Sequence, residues 1–164
     1  GRVISKTYLA ENKGPYPVYS SQTSNRGQLG AINTFDFNQE AITWTTDGAN
    51  AGTVFYRSGM FSITNVCGIM TIYDSKQLDY KYLYYYLSIE APKYVHKGMG
   101  NPKLMSHQIS RIPIPVPPMS VQEKIVKILD KFDTLTNSIT EGLPKEIELR
   151  RKQYEYYREQ LLSF

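Results

Sequence analysis

The chain has 164 residues, of which 41% are hydrophobic and 21% charged, which suits one folded domain plus a long accessory element and excludes a disordered chain. A single cysteine excludes an intrachain disulfide framework and a thiolate metal cluster. The net charge of +4 is unevenly placed: residues 1–118 carry eleven Lys/Arg against seven Asp/Glu, and residues 119–164 carry eight against eight. A basic first part permits a polyanionic partner, and a balanced tail points to a separate task.

In chain order, short aromatic and β-branched runs alternate with Gly, Asn and Ser turns over the first 118 residues, predicting a strand-rich α+β domain. The expected strands are Pro17–Ser20, Ala41–Thr45, Thr53–Tyr56, Phe61–Ile63 and Gly68–Tyr73, in an irregular sheet or small barrel. Asp79 caps an expected helix from Tyr80 to about Ile89, with Leu83, Tyr84, Tyr86 and Leu87 as its apolar face and Pro92 beyond its end. A basic loop, Lys97 to Lys103, and a short helical turn at Ser106–Ile109 follow. The alternating prolines of Arg111–Pro118 leave few backbone donors, so this segment reads as an edge strand or an extended connector.

A long helix is expected from Ser120, which with Glu123 forms a capping-box pattern. Its apolar stripe holds Ile125, Leu129, Phe132, Leu135 and Ile139, and resumes at Ile147, Tyr154 and Leu161. Gly142 and Pro144 either kink this helix or divide it. A continuous helix over 120–161 would be about 63 Å long. A 118-residue globule cannot bury a stripe of that length, so the stripe calls for a second, antiparallel helix from another chain or domain.

Catalytic patterns are incomplete. His96 and His107 lie in no metal-binding motif and are remote from Cys67. Gly98 to Pro102 lacks the strand and helix of a dinucleotide loop, and Asn101-Pro102 lacks the second proline and aromatic of an adenine-methyltransferase motif. Asp36, Glu40 and Asp47 have no accompanying Glu-x-Lys or Asp-x-Lys element of a nuclease, and Ser20, Ser21, Thr45 and Thr46 have no base near in sequence. No catalytic residue, metal ligand or cofactor is therefore assigned.

Binding reads better. Asn25, Arg26, Thr46, Asn50 and Arg57 lie in turns of the basic region and have side chains suited to base edges. Lys97, Asn101 and Lys103 suit phosphates. The same residues also read as ordinary turn formers, and Tyr84–Tyr86 read both as base-stacking groups and as helix core.

Quoted in order, Tyr16-Pro17-Val18-Tyr19-Ser20-Ser21, Thr46-Asp47-Gly48-Ala49-Asn50-Ala51-Gly52, Gly98-Met99-Gly100-Asn101-Pro102-Lys103-Leu104 and Ile112-Pro113-Ile114-Pro115-Val116-Pro117-Pro118 followed by Val121-Gln122-Glu123-Lys124-Ile125 make the chain resemble half of a specificity subunit of type I restriction–modification systems. The resemblance implies a target recognition domain over residues 1–118, which reads one half of a bipartite double-stranded DNA sequence. It implies a helical spacer over 119–164 that forms an antiparallel coiled coil with a second copy or a second half. It further implies a non-catalytic, prokaryotic cytoplasmic protein that positions methylation and restriction subunits, with S-adenosylmethionine bound by the methylation subunit. Full family members have two recognition domains and two spacers, so the chain is expected to be a natural half-subunit or half of a longer one. The alternative is a scaffold that dimerises through its helix without reading DNA.

Overall fold

The computed structural model describes residues 1–98, 100–134 and 152–153. By contact it divides into two compact units, 1–123 and 124–164.

The first unit contains two sheets. One has four strands in the order β2-β1-β6-β3, formed by β1 (Lys13–Tyr19), β2 (Gln28–Ile32), β3 (Phe37–Asn38) and β6 (Met60–Ile63). The other has three antiparallel strands in the order β5-β4-β7, formed by β4 (Ala41–Thr45), β5 (Val54–Arg57) and β7 (Cys67–Met70). The strand-rich expectation holds, as two sheets.

Every residue of β4 is buried, as suits a β-branched central strand with two neighbours. The Trp44 ring lies against Gly68 of β7 so closely that a Cβ there would be 2.1 Å from it. β1 starts four residues before the expected Pro17 and carries Pro15 and Pro17. These prolines are tolerated because β6 pairs with β1 only at Val18 and Tyr19, leaving Pro15 and Pro17 on an edge there, and because the β1–β2 register shifts between Lys13 and Tyr16, where Pro15 lies. Strands β2 and β3 and helix α1 (Lys6–Glu11) carry too little periodicity to have been predicted. β7 ends at Met70, short of the expected Tyr73.

Helix α2 (Tyr80–Glu90) follows the sequence closely. Asp79 is its N-cap, with its carboxylate accepting from the Tyr82 N–H at 2.8 Å. Leu83 and Leu87 pack with Ile42, Trp44 and Val54 in the largest core cluster, which also takes in Leu104, Ile109 and Ile112. A second cluster holds Ala41, Phe61, Ile63 and Cys67, and a third, beside α1, holds Ile4, Val18 and Ile32. The helical turn α3 (Ser106–Ile109) has its expected bounds.

Residues 111–118 form a connector rather than a strand. Its alternate carbonyls are satisfied by side chains: Pro113 by the Tyr86 hydroxyl at 2.9 Å, Pro115 by the Tyr82 hydroxyl at 3.0 Å and Pro117 by the Gln122 amide at 2.8 Å. Gln122 is fully buried. Its amide also donates to the Gln77 carbonyl, and its oxygen accepts from the Asp79 N–H at 2.9 Å.

The final helix begins at Met119, one residue before the expected cap. The Val121 and Gln122 N–H groups bond to the Pro118 carbonyl, which puts Ser120 inside the first turn instead of at the cap. In the second unit, residues 124–134 are helical, with Ile125 and Leu129 half-buried and Phe132 61% exposed. The expected stripe positions Leu135, Ile139, Ile147, Tyr154 and Leu161, and the break at 142–144, lie outside the described residues.

Candidate nucleic-acid interface

Three chain segments meet beside the β4–β5 connection. The first is that connection itself, a compact loop in which Gly48 and Gly52 have φ of 96° and 85°. Asp47 makes its turn, its carboxylate accepting from the Gly48 N–H at 3.0 Å.

The second is a tongue closed between His96 and Lys103, which exchange both backbone hydrogen bonds at 2.8 and 3.1 Å. It is fastened to the first loop by Gly48 N–H on the Pro102 carbonyl and Leu104 N–H on the Thr46 carbonyl, at 3.0 and 2.9 Å. The Trp44 indole N–H donates to the Leu104 carbonyl at 2.9 Å and ties the tongue to the core. Lys97, Asn101 and Lys103 are exposed on it.

The third is the segment from Ser20 to Gly27. Thr23 accepts from the Asn50 side-chain amide at 3.2 Å, and the Ser21 hydroxyl accepts from the Thr46 N–H at 2.9 Å. The Thr46 hydroxyl donates to the Val66 carbonyl at 2.6 Å, so Thr46 is a half-buried brace. Asn25 and Arg26, both exposed, have φ of 48° and 51°, and Gly27 has φ of 83°. Two consecutive non-glycine residues in this region cost about 1–2 kcal/mol each, somewhat less for asparagine, so something must hold the turn.

The Gln28 N–H on the Asn25 carbonyl, the Ser20 N–H on the Gly27 carbonyl and the Gln22 amide on the Gln28 carbonyl close the turn, and from inside the fold it is braced by Arg57. Its Nη2 donates to the Arg26 carbonyl at 2.7 Å and its Nε to the Thr43 hydroxyl at 3.0 Å. Its guanidinium carbon lies 3.5 Å from the centre of the Tyr19 ring and 4.5 Å from that of Phe55. Arg57 is only 6% exposed, so the structure places it behind the turn rather than on the surface. Burial lowers its pKa to about 10, which leaves it charged at neutral pH. Among the described residues no carboxylate pairs with it. The turn borders a hollow of about 400 Å³ also lined by Tyr19, Gln28 and Tyr56.

The structure therefore fastens the loop that carries Thr46 and Asn50 to the tongue that carries Lys97, Asn101 and Lys103, through the Gly48–Pro102 and Thr46–Leu104 backbone bonds. It connects Asn25 and Arg26 to that cluster along the Ser20–Gly27 segment, with Arg57 beneath. Sequence reasoning missed Tyr19, Ser21 and Thr23, because their partners are distant in the chain, and Phe55, because a phenylalanine two residues from Arg57 on a strand looks ordinary alone. The carboxylates Asp36, Glu40 and Asp47 are dispersed: Asp36 pairs with Arg2 at 3.1 Å, Glu40 accepts from the Tyr56 hydroxyl, and Asp47 serves its own turn. Of Tyr84–Tyr86, Tyr84 packs on the core and Tyr86 holds the connector. No helix among the described residues is long and apolar enough to cross a membrane.

Comparison with known proteins places this architecture. The structure is similar to the crystal structure of a type I restriction–modification S subunit from M. genitalium, with a TM-score of 0.68, 20% identity, and coverage of 99% of this chain and 42% of that one. A second solved chain, from work on complex assembly and conformational transition of the type I R-M system, gives a TM-score of 0.62 at 15% identity, covering 97% of this chain and 41% of that one. These likenesses establish the fold. In sequence, the chain is 46% identical over all 164 residues to the type I restriction enzyme MpnII specificity subunit of Mycoplasma pneumoniae, 49% of which it covers. It thus spans about half the length of that curated relative. The family model for the type I restriction modification DNA specificity domain matches residues 1–149, well over half of the chain, and with the shared fold it follows that the chain belongs to that family.

Proposed function

We propose that this chain is one target recognition domain with its helical spacer, reading one half of a bipartite DNA sequence for a type I restriction–modification complex in the bacterial cytoplasm. The observation that carries the reading is the interlocked loop cluster, which carries Arg26, Lys97 and Lys103 as exposed cations together with Asn25, Asn50 and Asn101 as exposed amides. Cations of this kind hold phosphates, and amide and guanidinium groups read base edges. In this reading residues 1–118 recognise DNA and residues 119–164 pair antiparallel with a second copy or a second half. The chain does no chemistry. It positions methylation subunits, which hold S-adenosylmethionine, and restriction subunits.

Methylation mapping in cells with and without the chain, beside its methylation partner, tests this. A gapped motif that vanishes on deletion is the expected result. An unchanged methylome refutes the reading, as does methyl transfer by the purified chain alone.

A further inference from the structure

We propose that the left-handed turn Asn25-Arg26 is the specificity-determining element of the loop cluster and that Arg57 is its positioning residue, a buried cation that fixes the turn without touching DNA.

This rests on the DNA-reading function proposed above and divides its surface into parts. Consecutive non-glycine residues at φ of 48° and 51° do not persist unless their surroundings hold them. Here the Gln28 N–H on the Asn25 carbonyl, the Ser20 N–H on the Gly27 carbonyl and the Gln22 amide on the Gln28 carbonyl close the ends of the turn, and the Arg26 carbonyl between them is held by Arg57. Arg57 grips the Arg26 carbonyl from inside the fold, and is itself clamped between two aromatic rings and the Thr43 hydroxyl. A Cβ added at Gly27 would lie 2.9 Å from the Arg57 guanidinium, so the turn and the cation fit closely.

Such bracing suits base reading, which needs donors and acceptors fixed to within a fraction of an ångström. Phosphate binding tolerates mobile ammonium groups, and Lys97 and Lys103 on the tongue supply them. The guanidinium matters in its own right. Its planar fork spans two acceptors at fixed angles, whereas a lysine at 57 would keep the charge and lose that geometry.

The test uses the full chain assembled with its methylation partner and a randomised duplex pool, with sequencing of the bound fraction. Arg26→Gly and Asn25→Gly put a residue at home in the left-handed region in place of a strained one and remove the side chain. At least one of them should lose preference at one or two adjacent base pairs, on the order of tenfold, with preference elsewhere retained and the melting temperature held or raised as the left-handed strain is relieved. Arg57→Lys should blur the same positions, and Arg26→Gly combined with Arg57→Lys should blur them no further than the worse single variant. Lys103→Ala should weaken all duplexes alike.

An Arg57→Lys chain that melts lower but selects an unchanged half-site overturns the positioning role. Glycine variants that both leave the half-site unchanged, or that weaken every duplex equally, overturn the assignment of the turn. They decide it even if Arg57→Lys does not fold. A different failure marks the parent reading: no sequence selected by the wild-type assembly, or no change in DNA binding from any turn or tongue variant.

Discussion

Tyr82 donates its phenolic hydrogen bond to the carbonyl of Pro115 over 3.0 Å, and one helical turn later Tyr86 does the same for Pro113. A helix with tyrosines four residues apart thus matches the two-residue repeat of a proline-rich connector, because one helical turn and two extended residues advance by comparable distances. The prolines that remove donors from this segment leave its carbonyls in need of partners, and α2 provides them. Tyr82→Phe should cost about 1–2 kcal/mol, since Tyr82 is buried, and Tyr86→Phe about 0.5–1 kcal/mol. Urea denaturation of each variant measures the difference.

Gln122 makes three hydrogen bonds in full burial, to Gln77, Pro117 and Asp79. Gln122→Leu keeps the volume and leaves two carbonyls and one N–H without that partner. A loss of about 2–4 kcal/mol is expected, and Gln122→Glu should also destabilise, because a carboxylate cannot donate to the two carbonyls. Thermal melting checks both.

Gly68 and Trp44 share one volume across the β4–β7 pair. Gly68→Ala forces the indole out of place, which should cost about 3 kcal/mol or more. Trp44 is the only tryptophan, so its fluorescence reports this directly: the emission should shift to the red as the ring gains access to water. Gly48→Ala meets no neighbour and is opposed only by its φ of 96°, so it should destabilise less and leave the emission unchanged.

Burial raises the Cys67 thiol to about 11 from an ordinary value of 9.0. The folded chain then holds a proton that the unfolded chain releases above pH 9. Stability is therefore unaffected by this group below pH 9 and falls as the pH rises from 9 to 11, on the order of 3 kcal/mol in all. Cys67→Ser should flatten that limb of the stability profile. At pH 8 the native thiol should resist iodoacetamide and react only on unfolding.

Phe132 stands 61% exposed on the helix at 124–134. If the spacer pairs as proposed, sedimentation should give a dimer for the isolated chain at tens of micromolar, and Phe132→Asp should shift it towards monomer. A folded wild-type monomer at that concentration, or a variant with unaltered mass, contradicts the pairing.

Local signals account for the parts that were legible in advance. Asp79 and the leucine spacing marked α2, a run of β-branched residues marked β4, and repeated prolines marked the connector. In each case the information lies within a few residues, where capping, side-chain alternation and missing N–H groups act. The resemblance to specificity subunits was equally legible, because it lies in the order of motifs along the chain. The roles of the polar residues were not. Arg57, Arg26 and Asn50 look alike as turn residues of a basic domain. One is buried and two are exposed because Tyr19, Phe55 and Thr43 converge on Arg57 once β1, β4 and β5 are assembled. A buried cation is stable only where its partners are already in place, and Thr43 and Arg26 stand fourteen and thirty-one residues away from it. Convergence over such separations is a property of the folded chain, which is why composition and spacing placed these side chains on one surface and the tertiary structure divided them between a surface and its support.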